Sequence, residues 1–247
     1  MAAQSIILIF LAGIEYAIFG KNVVLFLFSG MALTLTVLQV MRRHSVTISL
    51  LSLHGNAAHG SPRNMQISNV EELMGWIAAG GVPDYLHFWG HTPAQAQLAD
   101  KSCLSQWFPS PFSLSGVRYA TAEHYMMAQK AALFGDTAVQ ARIVAAERPS
   151  EVKKLGREVA NFDAKTWEAA RAGIVFDGNL AKFSQKPALR KFLLTTGERI
   201  IVEASPVDRI WGVGLASDNP RIQDPARWDG LNLLGFELMR VRAALRG

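Results

Sequence analysis

The chain has 247 residues, of which 50% are hydrophobic and 18% are charged, enough for one good-sized domain and an appended segment. Its single cysteine, Cys103, excludes an internal disulfide framework and favours a reducing compartment. The net charge is +5, but residues 1–64 contain four basic residues and one acidic residue, so residues 65–247 carry only +2 of it. That balance argues against binding nucleic acid by its backbone, while a local cluster of arginine and lysine still suits a small anionic substrate.

The amino-terminal part of the chain differs in character from the rest. Residues 5–19 and 23–40 form two strongly apolar runs, and the second is long enough to span a bilayer. Two arginines follow it directly, which predicts that everything downstream lies in the cytoplasm. Two interpretations stand side by side: residues 1–64 are a membrane anchor, or they are upstream sequence misassigned as coding and the protein begins at Met65. We therefore expect a cytoplasmic protein or, with an anchor, a domain on the cytoplasmic side of a membrane.

Residues 65–247 are predicted to form one compact domain in which helical patterns dominate. Strand-like segments and a hairpin are predicted at 85–89, 112–119 and 199–204. Capping residues and periodicity predict helices at 70–79, from 121 onward, and at 137–146, 151–159, 164–183 and 187–197. Ser150 is expected to cap the helix at 151–159, and Asn232 to cap a final helix.

The segment 121–130 carries the main candidate for chemistry. Glu123 lies in the first turn of the predicted helix, and Lys130 follows seven residues later. At 3.6 residues per turn the two share one face, about 10 Å apart along the axis. A carboxylate can transfer protons, and an amine can attack a sugar aldehyde or hold an anion. The alternative is a glutamate that complements the helix dipole and a solvated lysine.

A second candidate is the glycine-containing segment near residue 211. Trp211 and Gly212 follow shortly after Asp208, and an aromatic beside a glycine predicts close backbone approach to a flat ligand. The alternative is a tight turn with a buried tryptophan. Glu203 ends the preceding strand and is either a pocket acid or a solvated edge residue.

Several other chemistries lack sequence support. His87 and His91 lie four residues apart, but the intervening Trp89-Gly90 argues against a helix, so we reject a zinc site. The chain has no P-loop, no dinucleotide-binding glycine fingerprint after a strand, and no G-x-S-x-G nucleophile elbow. We expect neither a metal nor a cofactor.

An ordered set of motifs spans about residues 85–246. It comprises Ser105-Gln106-Trp107-Phe108, Gly116-Val117-Arg118-Tyr119, the segment 121–130, Leu155-Gly156-Arg157, Trp167, Val202-Glu203-Ala204-Ser205, Asp208, Trp211-Gly212-Val213-Gly214 and Asn232-Leu233-Leu234-Gly235. In content and order the set resembles the NADAR superfamily of YbiA-like N-glycosidases. The chain departs from the family at Gln106, where asparagine is common, and at 225–231, which replaces a run rich in glycine and lysine.

The resemblance implies an α+β, mostly helical fold and hydrolysis of an N-glycosidic bond. The implied substrates are early ribosylaminopyrimidine phosphates of riboflavin synthesis, or ADP-ribose attached to guanine, also in ADP-ribosylated nucleic acid. No obligate protein partner is implied. By motif position Glu123, Asp208 and Trp167 are expected to be functional, with Lys130 and Asn232 as further pocket residues.

We assign expected roles on that basis. Glu123 would stabilise a sugar cation or activate water, and Asp208 would act on the leaving base or a ribose hydroxyl. Lys130 would either form a Schiff base with the sugar or pair with a phosphate. The remaining substrate-binding candidates are Trp167 and Trp211 for stacking, Arg118 and Arg157 for phosphate, Asn232, and Gly212 for close approach. The alternative function is a non-catalytic module that binds ADP-ribose or an NAD derivative.

Overall fold

The computed structural model describes residues 6–11, 14–19, 22–26, 67–95 and 99–247, and the chain divides into two units, Met1–Ala58 and His59–Gly247. In the first unit, strands β1 (Ile6–Leu11), β2 (Ile14–Phe19) and β3 (Asn22–Phe26) pair antiparallel in that order. The first apolar run therefore contains two strands and not a spanning helix.

The predicted membrane anchor falls largely on residues that the structure does not describe. Most of the second apolar run, the two arginines and Met65 lie outside the described residues. Where the chain is described, none of its helices has both the length and the apolar character needed to cross a membrane. The boundary at residue 64 and the origin of the segment before it stay predictions.

The second unit has the α+β, mostly helical fold that was predicted. Its helices are α1 (Val70–Ala78), α2 (Ala122–Leu133), α3 (Thr137–Ala145), α4 (Pro149–Glu158), α5 (Ala164–Ser184), α6 (Pro187–Thr195) and α7 (Leu233–Arg246). Its strands are β4 (Tyr85–Phe88), β5 (Phe112–Leu114), β6 (Val117–Tyr119) and β7 (Ile200–Glu203). The predicted start of α4 was wrong: Arg148 occupies the cap position and Pro149 opens the helix, because proline lacks the N–H that would go unbonded there.

Strands β4 and β7 pair in parallel although they lie far apart in the chain. Tyr85 faces Ile200 and Phe88 faces Glu203, and the N–H of Ala204 donates to the carbonyl of Phe88 (2.8 Å). The β-branched run of β7 is buried, as expected for a strand covered on both faces. Both strands end at the same edge, so the segments that follow them leave side by side.

Helix α2 is the central helix of the unit and is buried on nearly all sides between residues 122 and 128. The Thr121 hydroxyl caps it by accepting the N–H of His124 (3.4 Å). The His124 ring bridges Thr121 Oγ1 (2.8 Å) and the carbonyl of Ala146 (3.0 Å), which joins the start of α2 to the end of α3. Two of its neighbours approach it at glycines, since a Cβ on Gly156 would meet Met127 and a Cβ on Gly178 would meet the Tyr125 ring.

We predict that Gly178→Ala destabilises the fold. The added methyl group would lie 2.5 Å from Tyr125 Cδ1, so α5 and α2 must separate or the ring must move. Overpacking of this kind costs about 1–3 kcal/mol in the free energy of unfolding, which urea denaturation measures. Gly173→Ala on the same helix is the control: Gly173 is exposed and an added methyl group would meet no atom within 4 Å, so this change should be neutral or stabilising by up to about 1 kcal/mol. Equal losses in both variants would contradict the packing argument.

Candidate active site

A cavity of about 530 Å³ opens at the edge where β4 and β7 end. Its walls come from five parts of the chain: the segment after β4, the loop 105–107, helix α2, helix α4, and the segment from Glu203 to Trp211. Leu234, at the start of α7, closes it from a further side. The size is that of a site for a nucleotide-sized molecule.

Glu123 forms part of the cavity wall and is only 4% exposed. Its N–H donates to the carbonyl of Gln106 (3.0 Å), which ties the first turn of α2 to the loop 105–107. Burial raises the pKa of Glu123 to about 7; the nearby Asp208 also raises it, while Lys153 and the Trp107 side chain act in the opposite direction. The side chain is thus poised to gain or lose a proton near neutral pH.

Glu203 is a second carboxyl group at the cavity, and the sequence left its role open. Burial raises its pKa to about 8, and the carboxylates of Asp208 and Glu123 add to the effect, with Lys153 opposing. Among the described residues, Glu203 Oε2 is buried and has no hydrogen-bond partner. Of the two alternatives for Glu203, the structure therefore agrees with an acid that lines a pocket and not with a solvated residue at a sheet edge.

Asp208 is the third carboxylate of the cavity and shapes the turn that carries it. Its Oδ1 accepts the N–H groups of Ile210 (2.9 Å) and Trp211 (2.8 Å), and its own N–H donates to Ser205 Oγ (3.2 Å). This local bonding turns the chain so that Asp208, Ile210 and Trp211 all line the cavity.

Gly212 and Asn232 lie behind the cavity and do not line it. A Cβ on Gly212 would lie 2.8 Å from the carbonyl oxygen of Glu203, so its close approach is to β7 rather than to a ligand. Asn232 is fully buried: its Oδ1 accepts the N–H of Glu203 (3.0 Å), and its Nδ2 donates to the carbonyl of Ile201 (2.9 Å). Asn232 occupies the cap position of α7, but its side chain binds β7 and does not cap the helix.

Lys130 lines the same cavity as Glu123, as their spacing predicted. Its Nζ donates to the carbonyl of Gly156 (2.7 Å) and lies 4.3 Å from the centre of the Phe162 ring. Partial burial lowers its pKa. The ring centre of Trp167 lies 5.7 Å from Nζ, and Trp167 packs against the core without lining the cavity.

The cationic side chains at the cavity differ from those expected. Arg157 lines it, whereas Arg118 is exposed on β6 and does not. Lys153 lies one helical turn before Arg157 on α4 and also lines the cavity, with its Nζ 5.9 Å from the centre of the Trp107 ring. The four-residue spacing of Lys153 and Arg157 was the signal that sequence reasoning missed.

Aromatic side chains surround the cavity mouth. Trp211 lines it, as predicted, and is joined by Trp107, Trp89 and His91, which were not predicted to be site residues. The rings of His91 and Trp107 have centres 5.7 Å apart, and Trp89 is 60% exposed. The mouth thus offers flat, partly exposed surfaces on which a base can stack.

The two departures from the family pattern have different consequences. Gln106 lines the cavity and is held in place by Asn179, whose Nδ2 donates to its Oε1 (2.8 Å). The segment 225–231 does not line the cavity; a Cβ on Gly230 would lie close to the carbonyl of Gly212, so this segment packs behind the turn that carries Asp208.

Comparison with known proteins assigns the family. Residues 87–246 match the NADAR domain. The chain is 44% identical over 163 residues to "N-glycosidase R617" of Acanthamoeba polyphaga mimivirus, covering 64% of this chain and 94% of that protein. It is 30% identical over 143 residues to "Riboflavin biosynthesis protein VVA0006" of Vibrio vulnificus, covering 58% of this chain and 35% of that longer protein.

A solved structure agrees with this assignment. The NMR structure of the Escherichia coli protein YbiA superposes with a TM-score of 0.54 at 26% sequence identity, covering 67% of this chain and 88% of that chain. That relative is named "N-glycosidase YbiA", which agrees with the enzyme class predicted from the sequence. All residues that line the cavity fall within the matched range, and the protein belongs to the NADAR family.

Proposed function

We propose that this protein is an N-glycosidase that hydrolyses the bond between ribose and a base in a phosphorylated, ribosylated base. The observation that carries the proposal is the buried Glu123 carboxyl group, which faces a nucleotide-sized cavity together with Asp208. The reaction class is supported by relatives named N-glycosidase, one of them 44% identical and aligned over nearly its full length.

The position of Glu123 suits the chemistry of this bond. An N-glycosidic bond breaks through a transition state with positive charge at the anomeric carbon, which a nearby carboxylate stabilises while it accepts a proton from the attacking water. A side chain with a pKa of about 7 is ionised in a large fraction of molecules at neutral pH and is also basic enough to accept that proton. We assign Glu123 as the general base.

The distribution of charge suggests how the substrate lies. Glu203 ends β7 and Asp208 follows it, while Glu123 lies in the first turn of α2. Lys130 lies two turns further along α2, and Lys153 and Arg157 come from α4. A ribosyl phosphate placed with its anomeric carbon near Glu123 can direct its phosphate toward the cations, which are natural phosphate ligands. The base then lies toward the aromatic mouth and stacks on Trp211 or Trp107.

Two substrates fit this arrangement. One is a ribosylaminopyrimidine phosphate of riboflavin synthesis, a choice supported by the name of the Vibrio vulnificus relative. The other is ADP-ribose attached to guanine, which would extend through the open mouth past Trp89. The near-neutral charge of residues 65–247 favours a small molecule over a nucleic acid.

Replacing Glu123 tests the proposal. Glu123→Gln keeps the shape of the side chain but removes its basicity, so turnover should fall at least about a hundredfold while substrate binding persists. Release of free base from both substrates measures turnover, and calorimetry measures binding. Glu151→Gln, in the first turn of α4 and exposed, is the matched control and should keep wild-type activity. Near-wild-type turnover in Glu123→Gln would remove Glu123 from the mechanism.

The pH dependence of turnover provides a second test. Since Glu123 must be ionised to act as a base and burial raises its pKa to about 7, kcat should fall as the pH decreases through that value, about tenfold per unit below it. An exposed carboxylate would place the fall near pH 4–5. A profile that is flat down to pH 5 would contradict the assignment.

Lys130 is expected to bind phosphate. Its amine is bonded to the Gly156 carbonyl and lies two helical turns from Glu123, a placement that suits the far end of a ribosyl phosphate. Lys130→Ala should therefore raise KM at least about tenfold and leave turnover at saturation within about threefold of wild type. Lys130→Arg, which retains the charge, should recover much of the affinity. Loss of saturated turnover, with a borohydride-trapped adduct formed by wild type and absent from Lys130→Ala, would instead establish a Schiff base.

A further inference from the structure

Glu203 is a partly buried residue at the cavity to which the mechanism above gives no role. Its backbone is held on both sides: its N–H is bound by Asn232 Oδ1 (3.0 Å), and its carbonyl accepts the N–H of Val213 (3.0 Å). Its side chain, by contrast, has an oxygen that is buried at the cavity without a hydrogen-bond partner among the described residues. A fixed backbone with an unpartnered carboxyl oxygen is the arrangement expected of a group that acts on a ligand.

The charges that face Glu203 determine its protonation. They are the carboxylate of Asp208 on the following turn, the carboxyl group of Glu123 on α2 and the ammonium group of Lys153 on α4. Burial and the two carboxyl groups raise the pKa of Glu203 to about 8, above the value of about 7 for Glu123. Because the two acids share one cavity, ionisation of one disfavours ionisation of the other, which near neutral pH favours a pair that holds a single proton. The buried Oε2 of Glu203, which has no hydrogen-bond partner among the described residues, is the position from which that proton can reach a ligand.

Asp208, which was expected to act on the leaving base, is less well placed to give up a proton. Its Oδ1 already accepts two backbone N–H groups and holds the turn 208–211 in shape. Glu203 Oε2 makes no such bond among the described residues. Of the two carboxyl groups, Glu203 is the one with an oxygen that is both buried and without a hydrogen-bond partner among the described residues.

We propose that Glu203 is the general acid of the reaction and donates its proton to the departing base. This inference rests on the proposed N-glycosidase function and extends it by assigning the leaving-group step. It also specifies the substrate class: a base that is neutral while attached and needs a proton to leave.

The step balances with water as the only co-reactant. The bond between the anomeric carbon and the base nitrogen breaks, its electron pair stays on the base, and the Glu203 proton neutralises that charge. Water adds to the anomeric carbon, and its proton goes to the Glu123 carboxylate. The products are the free base and a ribose phosphate with a hydroxyl group on its anomeric carbon. One proton transfer from Glu123 to Glu203, directly or through solvent, then restores the starting state of the enzyme.

The test compares two leaving groups on the same ribosyl phosphate. A ribosylaminopyrimidine phosphate needs a proton on its base, whereas nicotinamide ribosyl phosphate already carries a positive charge on its pyridinium ring and leaves without one. Glu203→Gln should lower turnover of the first substrate at least about a hundredfold and leave that of the second within about threefold of wild type. Glu123→Gln should lower turnover of both, since both need water to be activated.

The pH profile of the wild-type enzyme gives a measurement that does not depend on the variant. Because Glu203 must be protonated to act, turnover of the ribosylaminopyrimidine phosphate should fall as the pH rises through about 8, and turnover of the pyridinium substrate should not.

The thermal stability of the variant checks that it folds. Glu203→Gln avoids ionising a buried carboxyl group, so its melting temperature at pH 8 should equal or exceed that of wild type.

The outcomes separate the two proposals. Three results would overturn the role of Glu203 and leave the N-glycosidase function intact. They are an equal loss of turnover on both substrates in Glu203→Gln, no loss of turnover on either substrate, and wild-type turnover that falls equally for both substrates as the pH rises through about 8. A wild-type enzyme that releases no base from either ribosyl phosphate, nor from ADP-ribosyl-guanine, would overturn the function itself and the inference with it.

Discussion

The parallel pairing of β4 with β7 is the constraint on which the site depends. It joins segments more than a hundred residues apart and makes Phe88 and Glu203 end at one edge. The chain then leaves that edge in two segments, one toward Trp89 and His91 and one toward Asp208, so both must border the same space. Such a pairing needs a covering layer on each face, and helix α7 supplies part of it through Asn232, which binds the backbone of β7 directly.

The second feature that shapes the site is the crowding of acidic groups in one cavity. In water, neighbouring carboxylates would all be ionised at pH 7, but burial penalises the charged form and each remaining charge penalises the next. The result is a pair, Glu123 and Glu203, whose pKa values are both raised from the usual range of a glutamate toward neutrality. Lys153 limits the effect without forming an ion pair with either among the described residues, so the acids stay available to a ligand.

Sequence reasoning succeeded where the information is local. The start of α2 at Thr121, the shared face of Glu123 and Lys130 and the positions of most elements follow from capping and periodicity, which act over a few residues. Sequence patterns were less informative where the role of a residue depends on whether its side chain faces the cavity, the core or the solvent. Arg118 is exposed on a short hairpin, and Trp167 packs against the core without lining the cavity, although both lie in motifs of the family.

The sequence by itself determined that the second unit is a helix-rich domain with a carboxylate and an amine on one helical stripe, and its ordered motifs indicated the family. Only the tertiary structure decided which acids share a cavity, because the pKa values of Glu123 and Glu203 arise from burial and from charges on separate elements. It also showed that Gly212 serves close packing against β7, and it brought Lys153 to the site. Long-range packing and desolvation depend on the whole fold, which is why no local pattern contains them.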